Sequence, residues 1–124
     1  MIAGVGLDLV DIRDFQTEVD EKRQEWLERV FTVGEREYCS HQSDPYRHLA
    51  GTLAAKEATL KAFGTGWTDQ NDWQNIEVIR ELERPSLLLS GPLEEMSVRL
   101  KISRFFLSIT HTRDYAAAVV VLES

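Results

Sequence analysis

The sequence has a single cysteine among its 124 residues, so no disulfide can form within the chain. A lone thiol favours a reducing compartment. The first residues, Met1–Gly4, lack the basic and long apolar regions of a secretory signal. The longest clean apolar run, Tyr115–Leu122, is too short to span a bilayer. We therefore expect a cytoplasmic protein with no membrane-spanning segment.

Positive charge is also scarce. Lys and Arg number 14 against 21 Asp and Glu, which gives a net charge of −7. This balance argues against nonspecific binding to nucleic acid, which needs a basic surface, and against binding to anionic membranes. An anionic substrate would require a local positive pocket. With 43% hydrophobic residues, a chain of this length predicts one domain over residues 1–124.

Hydrophobic periodicity predicts an α+β fold, with a mainly antiparallel sheet packed against a long central helix and shorter helices. The predicted elements are a strand at 2–10, helices at 20–30, 33–39 and 46–63, strands at 76–82 and 86–89, a helix from about 90 to 100, and strands at 104–110 and 115–122. In the first strand, Gly4, Gly6 and Asp8 share a nearly bare face, which indicates a close approach by backbone or ligand. Asp8 alone also fits an ordinary strand end.

The long helix carries the most informative charges. Glu57 and Lys61 are four residues apart and share a face, followed by a glycine turn at Gly64. A carboxylate beside an ammonium suits a metal-bound phosphate ester. An ordinary surface ion pair, worth about 0.2–0.5 kcal/mol, is the alternative. Lys56 and Glu57 lie between apolar positions, where charges are rarely buried without a partner or a metal.

Two further segments allow both a structural and a functional interpretation. Thr32 and Glu35 match a capping box, which accounts for Glu35 without a ligand. His111 lies between a strand and a turn in Ser108–Thr112, where hydroxyls and an imidazole could bind phosphate or satisfy the turn locally.

Together these segments resemble a known family, the compact holo-[acyl-carrier-protein] synthases of the 4′-phosphopantetheinyl transferase superfamily. Gly6–Val10 is similar to its G-x-D-[IL]-[VT] motif, and Phe31–Glu35 to its [FL]-[ST]-x-x-E motif. Leu49–Gly66 is similar to its L-A-x-R-F-A-A-K-E-A-x-x-K-A-x-G-T-G motif. Ser108–Thr112, followed by Tyr115–Ala118, resembles its closing motif. The four motifs follow in the family's order and spacing along the whole chain.

The resemblance implies transfer of the 4′-phosphopantetheine arm of coenzyme A to a serine of an apo acyl-carrier protein, with release of 3′,5′-ADP. By carry-over, Asp8 and Glu57 bind Mg²⁺, Glu57 or a metal-bound water takes the serine proton, and Lys61 stabilises the leaving phosphate. Other residues are implied to hold coenzyme A. They are Lys56, Gly64, Thr65, His111 and Thr112. The resemblance also implies a homotrimer in which Asp8 and Glu57 act with His111 and Thr112 of a neighbouring chain.

The sequence departs from the family in two places. Thr52 replaces an arginine that helps to hold the nucleotide end of coenzyme A, and Arg47 or Arg84 could compensate. Residues 13–29, where acidic carriers dock on a typically basic helix, carry four positive and six negative charges, a net of −2. These departures motivate a second hypothesis, a relative that binds coenzyme A or a carrier protein without transferring the arm.

Overall fold

The computed structural model describes residues 1–65, 73–80 and 84–124. Its elements are β1 (Ile2–Asp11), α1 (Ile12–Val30), α2 (Val33–Ser40), α3 (Pro45–Ala62), a turn of 3-10 helix (Trp73–Asn75), β2 (Ile76–Ile79), β3 (Ser86–Leu89), α4 (Gly91–Arg99), β4 (Arg104–His111) and β5 (Tyr115–Glu123). The predicted order of strands and helices is confirmed. Most of the segment between the predicted helix at 46–63 and the predicted strand at 76–82, Gly66 included, lies outside the described residues, as does the end of that strand.

The predicted α+β class is also confirmed, but the strands form two antiparallel sheets. One sheet has the order β1-β5-β4, and β2 pairs with β3 in the other. In the larger sheet Asp8, Ala118 and Ile109 share one cross-strand row. Val10, Ala116 and His111 form the next. His111 therefore ends β4, whereas the sequence placed it in a turn.

Helix α3 lies directly against β1 because β1 presents glycine at the contact. A Cβ added at Gly6 would lie 1.8 Å from the Ala58 carbonyl oxygen, and one at Gly4 would lie 2.0 Å from that of Ala62. Both clashes are with backbone, so no side-chain rotation relieves them. The sequence left open whether the bare face of β1 is approached by backbone or by a ligand. At Gly4 and Gly6 it is approached by the backbone of α3.

Helix α1 begins at Ile12, eight residues before the predicted start at Asp20. Asp11 is its N-cap, since the Asp11 side chain accepts a hydrogen bond of 3.0 Å from the Asp14 amide. Ile12 and Phe15 are buried on the face that continues into the predicted part of the helix. Arg23 has φ 63° and ψ −160° and kinks the helix.

A buried ion pair connects α2, α3 and β2. Glu35 closes the predicted capping box, accepting from the Thr32 amide at 2.9 Å, while the Thr32 hydroxyl accepts from the Glu35 amide at 3.2 Å. The same carboxylate accepts from Lys56 Nζ at 2.7 Å and from the Val78 amide at 2.8 Å. The Lys56 and Glu35 side chains are 0% and 1% exposed.

The outer face of the larger sheet carries exposed apolar side chains. Val5, Leu7 and Leu9 of β1 are 57–64% exposed, and Phe106 of β4 is 42% exposed. In register, Val5 faces Val121 and Leu7 faces Val119 of β5. These six residues, Val5, Leu7, Leu9, Phe106, Val119 and Val121, are called the outer sheet face below. Within the described ranges no helix is long and apolar enough to cross a membrane. The cytoplasmic location stays a prediction.

Candidate active site

Two of the predicted reacting residues are in direct contact. Lys61, in the last turn of α3, donates from Nζ to Asp8 Oδ1 at 2.9 Å and to the Leu7 carbonyl at 3.1 Å. The Asp8 side chain is 17% exposed and that of Lys61 is 54% exposed. Glu57 lies one turn earlier on the same helix face and is partly exposed. The glycine contact between α3 and β1 brings these residues of distant sequence position together.

The donor set suits a hard divalent cation. Asp8 and Glu57 offer carboxylate oxygens only, and Mg²⁺ typically uses one or two carboxylates with water and substrate phosphates. No cluster of three or more His, Cys, Asp or Glu side chains that could hold a metal exists in the part of the chain that the structure describes. A fully protein-ligated ion, as in structural zinc sites, is therefore not what this arrangement fits.

Lys56, predicted to hold coenzyme A, lies on the opposite side of α3 from this site. Its ammonium is fully buried against Glu35 and lies 5.8 Å from the centroid of the Phe31 ring. A ligand at the surface could reach this ammonium only if the buried ion pair broke. The buried ion pair gives Lys56 a structural role, and its predicted contact with coenzyme A stays a prediction.

Gly64 and Thr65 end the helix in a Schellman motif. The Gly64 amide donates to the Lys61 carbonyl at 3.0 Å, and the Thr65 amide donates to the Leu60 carbonyl at 3.0 Å. Gly64 has φ +73°, a left-handed backbone conformation that glycine adopts more readily than other residues. Both amides are therefore hydrogen-bonded within the helix end, and the role of Gly64 and Thr65 in holding coenzyme A stays a prediction. The space beside Gly64 is open, since nothing lies within 4 Å of an added Cβ.

His111 lies at a separate cavity of about 200 Å³. The cavity is lined by Tyr38, Arg47, His48, Gly51, Arg80, Pro85, Ile109 and His111. The His48 and His111 ring centroids are 5.7 Å apart, and the Arg80 guanidinium carbon lies 5.2 Å from the Tyr38 ring centroid. None of the lining residues is acidic. A protein of net charge −7 thus contains a basic cavity of the kind that an anionic substrate requires.

Thr112 and Thr52 both have local structural roles. Thr112 Oγ1 accepts from the amides of Asp114 at 3.4 Å and Tyr115 at 3.1 Å, so it satisfies the turn between β4 and β5. Thr52 is 1% exposed and donates to the His48 carbonyl at 2.8 Å. Neither hydroxyl is directed to a ligand by these contacts.

Within one chain the predicted site residues form two groups. Asp8, Glu57 and Lys61 lie towards the C-terminal end of α3, whereas His111 contacts His48 near its N-terminal end. His48 and Glu57 are nine positions apart, which corresponds to roughly 13 Å along the helix. The structure therefore does not bring His111 to the carboxylates of its own chain.

Residues 4–120 match the family model described as 4'-phosphopantetheinyl transferase superfamily. The chain belongs to this superfamily. A holo-[acyl-carrier-protein] synthase of Geotalea daltonii is 43% identical to this transferase over 124 residues, which cover 99% of each chain.

Solved structures agree with the sequence comparison. The transferase resembles the holo-[acyl-carrier-protein] synthase of Neisseria meningitidis with a TM-score of 0.90 and 30% identity, over 100% of both chains. It resembles the Helicobacter pylori enzyme, solved in complex with coenzyme A, with a TM-score of 0.83 and 28% identity, over 96% of this chain and 99% of the other. The predicted family, fold and enzyme class are thereby confirmed.

Arg80 is a functional candidate that the sequence reasoning missed. The alternation of the predicted strand at 76–82 puts Ile76, Val78 and Arg80 on one face, and Ile76 and Val78 are buried. A charged residue on a buried strand face was the available signal. Arg84, named as a possible compensating residue, is exposed and does not line the cavity.

The surroundings of His111 predict a measurable pKa change. Partial desolvation lowers the pKa of His111 below its ordinary value of 6.5, and the Arg47 charge and His48 lower it further. Replacing Arg47→Gln should raise this pKa in an NMR titration, because one repulsive charge is lost. Since the unfolded chain takes up this proton at higher pH, acidification through 6.5 also weakens folding.

The matched control for this titration is Arg99→Gln, which removes an exposed charge on α4 outside the cavity. It should leave the pKa of His111 unchanged. An Arg47→Gln variant in which the pKa of His111 does not rise would contradict the electrostatic description of the cavity.

Proposed function

We propose that this protein, as one domain over residues 1–124, transfers the 4′-phosphopantetheine arm of coenzyme A to a serine of an apo acyl-carrier protein and releases 3′,5′-ADP. Relatives named holo-[acyl-carrier-protein] synthase support the reaction class, and the Helicobacter pylori complex supports coenzyme A as the donor. The observation that carries the proposal is the contact of 2.9 Å between Lys61 and Asp8, one helical turn from Glu57.

The side chains divide the chemistry between them. Glu57 accepts the proton of the carrier serine, directly or through a water that it orients. Lys61 is held in position by Asp8 and the Leu7 carbonyl, so its ammonium is ready to stabilise the charge that develops on the departing 3′,5′-ADP phosphate. Positioning and electrostatic stabilisation supply most of the catalysis, as in phosphoryl transfer generally.

Asp8 and Glu57 would hold the Mg²⁺ ion. When bound, the ion polarises the pyrophosphate of coenzyme A and offsets negative charge on the leaving group. Asp8 would serve both as a ligand of the ion and as the partner that positions the Lys61 ammonium.

The change Glu57→Gln tests this assignment. It keeps the side-chain size but removes both the base and the charge, so we expect transfer to fall by at least about 100-fold. The measurement is mass spectrometry of an apo carrier protein incubated with coenzyme A, Mg²⁺ and the enzyme, which gains the mass of one phosphopantetheine group.

Glu95→Gln is the matched control, because Glu95 is exposed on α4 and has the same chemistry. It should transfer at the unmodified rate. Full activity in Glu57→Gln would contradict the mechanism. No mass gain with several carriers, despite measurable coenzyme A binding, would contradict transfer and support a relative that only binds.

The outer sheet face supports the proposed homotrimer. Among the residues that the structure describes, nothing covers Val5, Leu7, Leu9 and Phe106 of this face, and exposed apolar patches usually mark an interface. Assembly also offers a way to unite the two groups of site residues, with His111 and Thr112 of one copy beside Asp8, Glu57 and Lys61 of another.

The change Leu7→Asp tests the assembly, because it puts a charge at the centre of the outer sheet face. We expect light scattering after size-exclusion chromatography to change from three copies to one, with transfer activity lost as well. Val98→Asp is the control, since Val98 is 71% exposed on α4 and lies outside this face. An unmodified protein that is a monomer at assay concentration, yet active, would contradict shared sites.

A further inference from the structure

Helix α1 turns sharply at Arg23. This residue has φ 63° and ψ −160°, a conformation that essentially only glycine adopts without strain. The rings of Phe15 and Trp26, on either side of it, have centroids 6.1 Å apart. Eleven positions of a straight helix would separate these residues by roughly 16 Å along the axis. The ring contact therefore requires the bend, and α1 consists of a first segment, 12–22, and a second segment, 24–30, joined by a strained residue.

A glutamine side chain holds the second segment in place. Gln74 Nε2 donates to three carbonyls at the end of this segment. They are those of Glu28 at 2.9 Å, Arg29 at 3.2 Å and Phe31 at 3.0 Å. The last carbonyls of a helix have no partner within the helix, so the side-chain amide supplies the missing donor. Gln74 lies in the 3-10 turn that continues into β2 and is thus anchored in the smaller sheet.

The strain at the bend and the contacts around it oppose one another. A residue in a region of φ and ψ that favours glycine persists only where its surroundings fix it. Here the surroundings are Gln74 and the Phe31 ring, whose centroid lies 6.2 Å from that of Phe15 and 6.4 Å from that of Trp26. Without Gln74, movement of the second segment would let Arg23 return to an ordinary conformation.

The bend borders the reacting group. Phe15 and Phe31 belong to a buried cluster against which Trp26 and Leu53 also pack. Leu53 lies one turn before Glu57 on the same face of α3. The position of the second segment therefore sets the surface beside Glu57, where a protein that delivers the reacting serine must lie.

We propose that Arg23 is a strained hinge and Gln74 its latch, and that together they hold α1 in the position that receives the carrier protein. The identity of this partner rests on the proposed function. Both residues act on the reaction through α1 and are positioning residues. A latched helix needs no ordering when the carrier binds, so less free energy is lost on docking. An open hinge lowers the apparent affinity in proportion to the closed fraction.

The change Gln74→Glu tests the latch, because it keeps the side-chain size and removes the amide donor. We expect hydrogen exchange of the amides of residues 24–31 to become at least about tenfold faster, the factor that one net hydrogen bond contributes. Arg23→Gly in the same chain should restore slow exchange, because glycine removes the strain that opens the hinge. Gln74→Met provides a second variant if Gln74→Glu does not fold.

The matched control is Gln42→Glu, since Gln42 Nε2 donates to the Tyr38 carbonyl at 3.2 Å at the end of a different helix, α2. It should leave hydrogen exchange of residues 24–31 unchanged. Exchange that stays equally slow in the folded Gln74→Glu or Gln74→Met variant would overturn the latch.

Thermal melting tests the strain. Arg23→Gly alone should raise the melting temperature by roughly 3 °C or more, since glycine adopts the observed φ and ψ without strain. Gln16→Gly, at an exposed position within the first segment, should lower it instead. A melting temperature that falls in both variants would overturn the hinge.

Transfer assays test the positioning role with the same variants. We expect Gln74→Glu to raise KM for the apo acyl-carrier protein several-fold, with KM for coenzyme A and kcat unchanged, and Arg23→Gly in the same chain to reverse this rise. Equal KM values for the carrier in Gln74→Glu and in the unmodified protein would overturn the positioning role.

Hydrogen exchange needs neither substrate, so the two proposals fail separately. Faster exchange in Gln74→Glu, together with no transfer by the unmodified protein, would contradict the proposed function and support the hinge and latch. Transfer by the unmodified protein, together with unchanged exchange in Gln74→Glu, would do the reverse.

Discussion

The buried ion pair between Glu35 and Lys56 is the interaction on which the rest of the structure depends. Two charges with almost no exposure require complete satisfaction, because removing each from water costs several kcal/mol. The Glu35 carboxylate achieves this with three donors, which are Lys56 Nζ, the Thr32 amide and the Val78 amide. These donors belong to α3, to the start of α2 and to β2, so one carboxylate fixes three elements together.

The same three elements build most of the basic cavity. Tyr38 lies on α2, His48 and Gly51 lie on α3, and Arg80 follows β2 directly. The ion pair therefore sets the positions of the cavity walls, although none of its atoms faces the cavity. On its other side, α3 contacts the glycines of β1, and this second contact sets the position of Lys61 against Asp8. One helix thus carries a structural lysine and a functional lysine that are five residues apart.

Much of this arrangement could be predicted from the sequence, because periodicity and capping are local. The order of elements, the capping box of Thr32 and Glu35, and the shared face of Glu57 and Lys61 all follow from spacing. The sequence predicted the start of α1 too late. Asp11 is both the last residue of β1 and the N-cap of α1, and the pattern of the strand concealed its role as a cap. The motif at Leu49–Gly66 indicated that Lys56 lies between apolar positions, but it could not show that its partner is Glu35, which is distant in sequence.

The cavity was the least predictable part, because its residues are also distant from one another in sequence. Arg80, Tyr38 and His111 come from three separate segments, and only the tertiary contacts of Glu35 and α3 bring them together. Thr52 illustrates how little of the cavity could be predicted from the sequence. The sequence shows a missing arginine, whereas the structure shows a buried threonine at this position and two other guanidinium groups in the cavity nearby.

The free energy of unfolding in urea, measured for Lys56→Met and Lys61→Met, tests most directly the claim that α3 separates structure from chemistry. The account predicts that Lys56→Met loses about 3–5 kcal/mol, because Glu35 would keep a buried charge without its partner. Lys61→Met should lose no more than about 1 kcal/mol, since the Lys61 side chain is 54% exposed in its ion pair. Equal losses, or a larger loss for Lys61→Met, would contradict the account.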